Sequence, residues 1–189
     1  MKQALWLLVF LLVFAWSAVA PKSYFTWFLE TIPAVVALAV LAASRRSFPL
    51  TPLAYGLILA HAVILMVGGH YTYAEVPFGD LFGGRNNYDK LGHLAQGFVP
   101  ALVAREIIVR KGLIPARRWC HFFVVCTCLA ISAFYELIEW WVAELSGESA
   151  EAFLGTQGYV WDTQSDMALA LLGTVVSLAC LAKRHDRQL

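Results

Sequence analysis

Charge is what this sequence has least of. Only 14% of its 189 residues are Asp, Glu, Lys or Arg, and 60% are hydrophobic, whereas a soluble domain carries about 25% charged and about 45–50% apolar residues. Too few polar side chains are present to clothe a water-facing surface, so the composition points to a polytopic membrane protein. The net charge of +1 leaves no basic face to neutralise phosphates, which argues against nucleic acid as a partner. Cysteine is scarce too. Cys120, Cys126, Cys128 and Cys180 lack the CxxC pairs of zinc or redox sites and read as packing thiols in or beside apolar helices, without a disulfide framework. A Walker loop, a Rossmann glycine pattern and a GxSxG elbow are all missing, which disfavours nucleotide-driven or classical serine chemistry. No internal repeat or low-complexity linker divides the chain, so residues 1–189 read as one integral membrane domain.

What is there is a series of apolar runs. They predict an all-α fold, a bundle of six transmembrane helices over residues 4–20, 24–43, 50–70, 89–110, 119–143 and 162–182. A run of about 20 residues crosses a hydrocarbon core of about 30 Å. Ala18-Val19-Ala20 imitates the end of a signal peptide, but Pro21 follows directly, so an uncleaved first helix is expected. Pro33 should bend the second span or end a short first segment. Pro49 and Pro52 introduce the third span, and glycines, Pro77 and Asn86-Asn87 make 71–88 a loop.

Basic residues set the orientation. With six spans, Lys2, Arg45, Arg46, Arg110, Lys111, Arg117, Arg118, Lys183, Arg184 and Arg187 fall on one side, against Lys22, Arg85 and Lys90 on the other. Both termini are therefore expected to be cytoplasmic, with the two long acidic loops facing outward. Trp140, Trp141 and Trp161 suit the outer interface and Trp119 the inner one.

Three stretches break the apolar pattern at one level of the bundle. Asp89, His93, Gln96, Gly97 and Pro100 lie within one quadrant of the fourth helix at about 100° per residue. Glu136 and Glu139 share a face of the fifth with Ser132 and Trp140, and Asp162 and Asp166 share one on the sixth with Gly173. Gly92, Gly97 and Gly173 would allow close helix approach. Five carboxylates and one histidine then gather with only Lys90 and Arg85 to balance them, and uncompensated carboxylates in low dielectric are costly. Protons or a cation must complete such a site. Oxygen ligands with one imidazole suit Mg, Mn or Ca, with Zn also a candidate, held by His93, Glu136, Glu139, Asp162 and Asp166. Bland readings stand beside this one. Asp89 and Asp162 could cap their helices, and Glu139 could reach headgroup water, but His93, Glu136 and Asp166 lie too far inside for capping.

Elsewhere, His61 could bridge helices, His70 points away from it, Arg105 and Glu106 call for pairing or snorkelling, and His121 and His185 have no visible partners. Gly155-Thr156-Gln157-Gly158 reads as a turn lining the site's mouth.

The strings YDKLGHLAQGFVPALVAREI (88–107), AFYELIEWW (133–141) and FLGTQGYVWDTQSDM (153–167) resemble those of the YjdF-like bacterial inner-membrane proteins, and the resemblance extends over most of 50–182. It implies a multi-pass protein of the bacterial cytoplasmic (inner) membrane and carries no established activity. Asp89, Lys90 and His93, the pair Glu136 and Glu139, and Asp166 with Gly173 are also similar to the pattern of the VanZ-like proteins, associated with glycopeptide resistance and envelope biology. This chain departs from that pattern with Glu139 for a usual glutamine and Ala170 for a usual asparagine.

The leading expectation is a membrane enzyme acting on a lipid or lipid-linked envelope substrate, hydrolysing or transferring at a phosphate or ester. His93, Asp89, Glu136 and Asp166 would be its catalytic residues, with one divalent cation. A small ion-coupled transporter and a non-catalytic binding or scaffold protein are the alternatives.

Overall fold

A computed structural model describes residues 3–81, 85–146 and 156–189. Those residues form six helices and no strand: α1 (Gln3–Ser17), α2 (Tyr24–Ser44), α3 (Pro52–Tyr71), α4 (Tyr88–Lys111), α5 (Arg117–Ser146) and α6 (Asp162–Asp186). The all-α expectation holds. By length and apolarity, α2, α3, α5 and α6 qualify to cross a membrane. α1 is apolar but has 15 residues, about 22 Å of helix, short of a full hydrocarbon core. α4 is long enough at 24 residues, but Asp89, His93, Arg105 and Glu106 make it polar, and all four are buried against neighbouring helices.

Local chemistry sets most helix ends. Ser23 Oγ accepts the Thr26 N–H at the start of α2, and Thr51 Oγ1 accepts the Ala54 N–H at the start of α3, where Pro52 supplies a preset first turn. α4 stops at Gly112, whose left-handed φ of 62° lets its N–H return to the Ile108 and Val109 carbonyls. α1 ends at Ser17, earlier than residue 20; Ala20 beyond it is left-handed at φ 49°, and Pro21 has no N–H with which to continue a helix. Pro33 does not end a first segment of α2, which runs through it unbroken.

The helices pack as two groups. Trp6, Phe10, Ala34, Leu41, Leu59, Ala62 and Met66 form the core of α1, α2 and α3. Ala101, Cys120, Val124, Cys128 and Leu178 form that of α4, α5 and α6. Among the cysteines, Cys120 and Cys128 thus pack inside while Cys126 and Cys180 lie on the outer surface, all four as free thiols. α4 and α6 are the most intimate pair, because Gly97 lies against the Ala170 carbonyl and Gly173 against that of Leu94. A Cβ at either glycine would overlap the opposing backbone. Gly92 serves a different purpose: it makes room for the Tyr73 ring.

At the Lys111 end of α4, Glu106 and His185 are fully buried. Glu106 accepts from Thr51 N–H at 2.9 Å, Thr51 Oγ1 at 2.8 Å and Arg110 at 2.8 Å, and lies 3.0 Å from His185 Nε2. Arg105 reaches His185 Nδ1 at 3.2 Å and also Asp186, which Arg117 holds at 3.0 Å. His185, expected to lack partners, is therefore the centre of a network that ties α3, α4, α5 and α6 together. The pairing expected of Arg105 and Glu106 is made here.

At the opposite end the loop after α3 is packed. Asn86 Nδ2 donates to the Val76 carbonyl at 2.8 Å, the Asn87 N–H donates to the Gly79 carbonyl at 2.7 Å, and Tyr73 is buried. Lys22 donates to Glu75 at 2.8 Å across the neighbouring loop, and that carboxylate raises the Lys22 ammonium above its ordinary range.

Candidate functional site

His93 stands at the centre of the polar level. It lies on the second turn of α4 with Asp89 one turn before it, so the two side chains share a face. The Asp89 Oδ1 to His93 Nε2 distance is 3.4 Å. Asp166, on the second turn of α6, brings Oδ2 to 3.9 Å from the same nitrogen. The close glycine seam between α4 and α6 is what allows this approach. On the other side of the ring, Nδ1 faces Gln96 Oε1 at 3.1 Å and Glu136 Oε1 at 3.8 Å. Both imidazole nitrogens thus face oxygens from three helices. Two N–H groups of an imidazolium satisfy that arrangement, as does a cation at one of the nitrogens.

One ligand atom each from Asp89, His93 and Asp166 lies within 4.8 Å of the other two. All three residues are buried, as are Glu136, Glu139 and Asp162. Asp166 Oδ1, Glu136 Oε1 and Asp162 Oδ2 are buried oxygens without a hydrogen-bond partner. Orphaned carboxylate oxygens are costly in a low-dielectric interior, a cost that protons on the carboxylates or a hard divalent cation between them would relieve.

The other expected residues take different positions. Asp162 opens α6 but does not act as its cap; its Oδ1 accepts from Arg85 Nη1 at 2.5 Å. Arg85 Nη2 reaches Asp89 Oδ2 at 3.3 Å, so one guanidinium joins both acids. Asp89 likewise is not a cap, since it follows Asn87 and Tyr88 inside the helix. The balancing cation is Arg85, because Lys90 donates to Asn87 Oδ1 at 2.8 Å. Glu139 is buried at 8% exposure, which replaces the headgroup-water reading, and it lines a cavity on the far side of His93. Trp140 does not share the face of Glu136 and Glu139; it is 54% exposed.

That cavity, of about 590 Å³, lies between α2, α3, α4 and α5. At its polar end it meets Asp89, His93, Gln96, Tyr135 and Glu139, joined by two residues the sequence reading did not place in the site: Glu30 and Tyr73. Tyr135 Oη donates to Glu30 Oε2 at 3.4 Å, bridging α5 and α2. Glu30 carried its own signal, a carboxylate inside an apolar span; Tyr73 is placed by the loop fold and carried none. His61 also lines the cavity, whereas His70 hydrogen-bonds the Ser17 carbonyl at 3.0 Å, away from it. The expected turn at 155–158 is described from Thr156 onward. Gln157 pairs with the Asn86 backbone at 2.9 and 3.1 Å, and Tyr159 stacks over Arg85. This places the turn over the Arg85 side of the cluster. Gly83, Gly84, Gly147, Glu148, Glu151 and Gly155 lie outside the described residues.

An all-helical bundle with membrane-length apolar helices and a buried carboxylate–histidine cluster defines a polytopic α-helical membrane protein. Over residues 2–187 the chain matches, and belongs to, the family described as "Predicted membrane protein (DUF2238)". It is 52% identical over 183 residues to the "Inner membrane protein YjdF" of Escherichia coli (strain K12), covering 94% of this chain and 88% of that protein. The expected YjdF-like kinship is thereby confirmed; neither finding bears on the VanZ-like proteins. No solved structure matches the chain.

Proposed function

We propose that this chain is an inner-membrane enzyme acting at the phosphate or ester of a lipid or lipid-linked envelope substrate, with its site at the outer face. The observation that carries the reading is the convergence of Asp89, His93 and Asp166 within 4.8 Å beside orphaned oxygens of Asp166, Glu136 and Asp162. Asp89, His93 and Asp166 would hold one divalent cation, and Glu136 backs them from α5. Such a cation supplies Lewis-acid polarisation of a phosphoryl or carbonyl oxygen. Arg85 fixes Asp89 and Asp162 relative to each other. Glu139, which lines the cavity, would exchange a proton with a group bound there. The kinship to an inner-membrane protein and the basic residues at the Lys111 end support the location and orientation.

The carrier reading has less support. A polar route would have to run on from His61 towards Arg105 and Glu106, and those two are engaged in the His185 network instead of the cavity. A scaffold role would need neither a metal nor a cavity.

Elemental analysis of the detergent-purified protein, after supplementation with Mg, Mn, Zn and Ca, tests the proposal against an Asp89→Asn/Asp166→Asn variant. We expect near-stoichiometric metal in the native protein and loss of it in the variant. Metal-dependent turnover of envelope lipid extracts should fall by at least about 100-fold with it. The variant gives up the Arg85–Asp89 pair and the bound metal, so it should unfold at a lower temperature than the native protein, and circular dichroism with gel filtration checks that it is folded before its metal content is read. Native protein that takes up no metal would overturn the cation site.

A further inference from the structure

We propose that the cavity between α2 and α5 is a slot for the hydrocarbon chain of an amphipathic lipid, entered sideways from the bilayer, with the lipid's polar head beside His93. This inference rests on the reading of the cluster as the reacting site and supplies its substrate class: a long-chain amphiphile rather than a soluble ion or sugar.

Three features of the slot carry it. The first is its shape. Along α2 the lining runs from Glu30 to Ser44, about 20 Å at 1.5 Å per residue, parallel to the chains of the surrounding lipid. The second is its polarity gradient. Carboxylates, His93 and two tyrosines gather at one end, while Leu41, Leu50, Phe48 and Ile107 line the other. A ligand satisfies both ends only if it is polar at one tip and hydrocarbon along its length. The third is its opening. α2 and α5 face each other across the slot, joined at the polar end by the Tyr135–Glu30 hydrogen bond. Beyond that bond, Val40 on α2 and Ile131 on α5 line the slot and are also 59% and 43% exposed. The gap between them faces the exterior of the bundle, where the exposed side chains are apolar and lipid is the neighbour. The head would sit against Glu30, Asp89 and Glu139, so an anionic head needs a cation between it and these carboxylates, whereas a hydroxyl or ester does not.

Photo-crosslinking tests this on the whole protein in nanodiscs of phosphatidylethanolamine and phosphatidylglycerol. The probes are two long-chain fatty alcohols, one with a diazirine at the chain end and one with a diazirine next to the hydroxyl. Labelled peptides are mapped by mass spectrometry. The chain-end probe should mark residues 40–50 and 103–107, and the head-proximal probe residues 30–34, 89–96 and 135–139. Ala37→Phe and Ala104→Phe, which add a ring to half-buried slot positions, should each cut slot labelling several-fold. Leu129→Phe, on the exposed face of α5 outside the slot, should leave it unchanged. Labelling spread evenly over lipid-facing side chains, or the same peptides marked by both probes, overturns the slot; that map is read on the native protein, so it stands even if a Phe variant fails to fold. The metal measurement separates the two proposals. Ordered labelling in a protein without metal keeps the slot and removes the cation chemistry, while stoichiometric metal with scattered labelling does the reverse.

Discussion

At the scale of single residues, Arg85 decides whether the cluster can exist. Its guanidinium spans Asp89 and Asp162, two acids from different helices, with 15% of its side chain exposed. Removing one partner of a buried ion pair leaves carboxylates without compensation and costs about 3 kcal/mol. Arg85→Met should therefore lower the unfolding temperature in detergent, and Arg85→Met/Asp162→Asn should recover part of the loss. Lys90→Met, at the residue that looks equivalent in the sequence, should be near neutral, since Lys90 contacts only an asparagine among the bonds seen. An equal loss from both substitutions would mean that net charge near the loop, and not the specific bridge, sets stability. The sequence made the excess of carboxylate legible but not the choice of cation. Both basic residues lie within a turn or two of Asp89, and only the backbone of the loop after α3 aims Arg85 inward.

At the scale of elements, the α4–α6 seam holds the site in register. Thr174 Oγ1 donates to the Gly97 carbonyl at 3.2 Å, and the two glycines leave no room for a Cβ. Gly97→Ala and Gly173→Ala should each cost about 2 kcal/mol or more, because the atom met is backbone and cannot turn aside. Gly56→Ala in α3, where nothing lies within 4 Å, should instead be neutral or stabilising by up to about 1 kcal/mol. Thermal unfolding of the three variants side by side checks the contrast, and equal effects would show that the seam tolerates a Cβ at these positions. Glycine spacing in the sequence announced close packing, and for Gly97 and Gly173 that reading holds. It could not distinguish Gly92, which accommodates a tyrosine ring, because the partner comes from a loop whose path has no periodic signature.

At the scale of the whole molecule, two polar clusters cap an apolar bundle, one around His93 and one around Glu106 and His185, with the slot opening from the first. The bias of basic residues predicts a cytoplasmic position for the second. In a background without native cysteines, Phe78→Cys, on an exposed loop beside the first cluster, should react with an impermeant maleimide from outside the cell. Leu113→Cys, exposed beside the second, should react only after permeabilisation. The opposite pattern would invert the topology and turn the site towards the cytoplasm. The sequence by itself determined that the chain is helical and membrane-bound, where most of its helices run, and which level of the bundle is polar. Those properties follow from apolar run length and from the cost of charge in hydrocarbon, both local along the chain. Only the tertiary structure decided that Asp166 from α6 and Glu136 from α5 meet His93, that Glu30 joins from α2, and that His185 is buried at the far end. Those outcomes depend on how far each helix is rotated about its axis against its neighbours, which is fixed by packing between distant segments and is absent from any single segment's pattern.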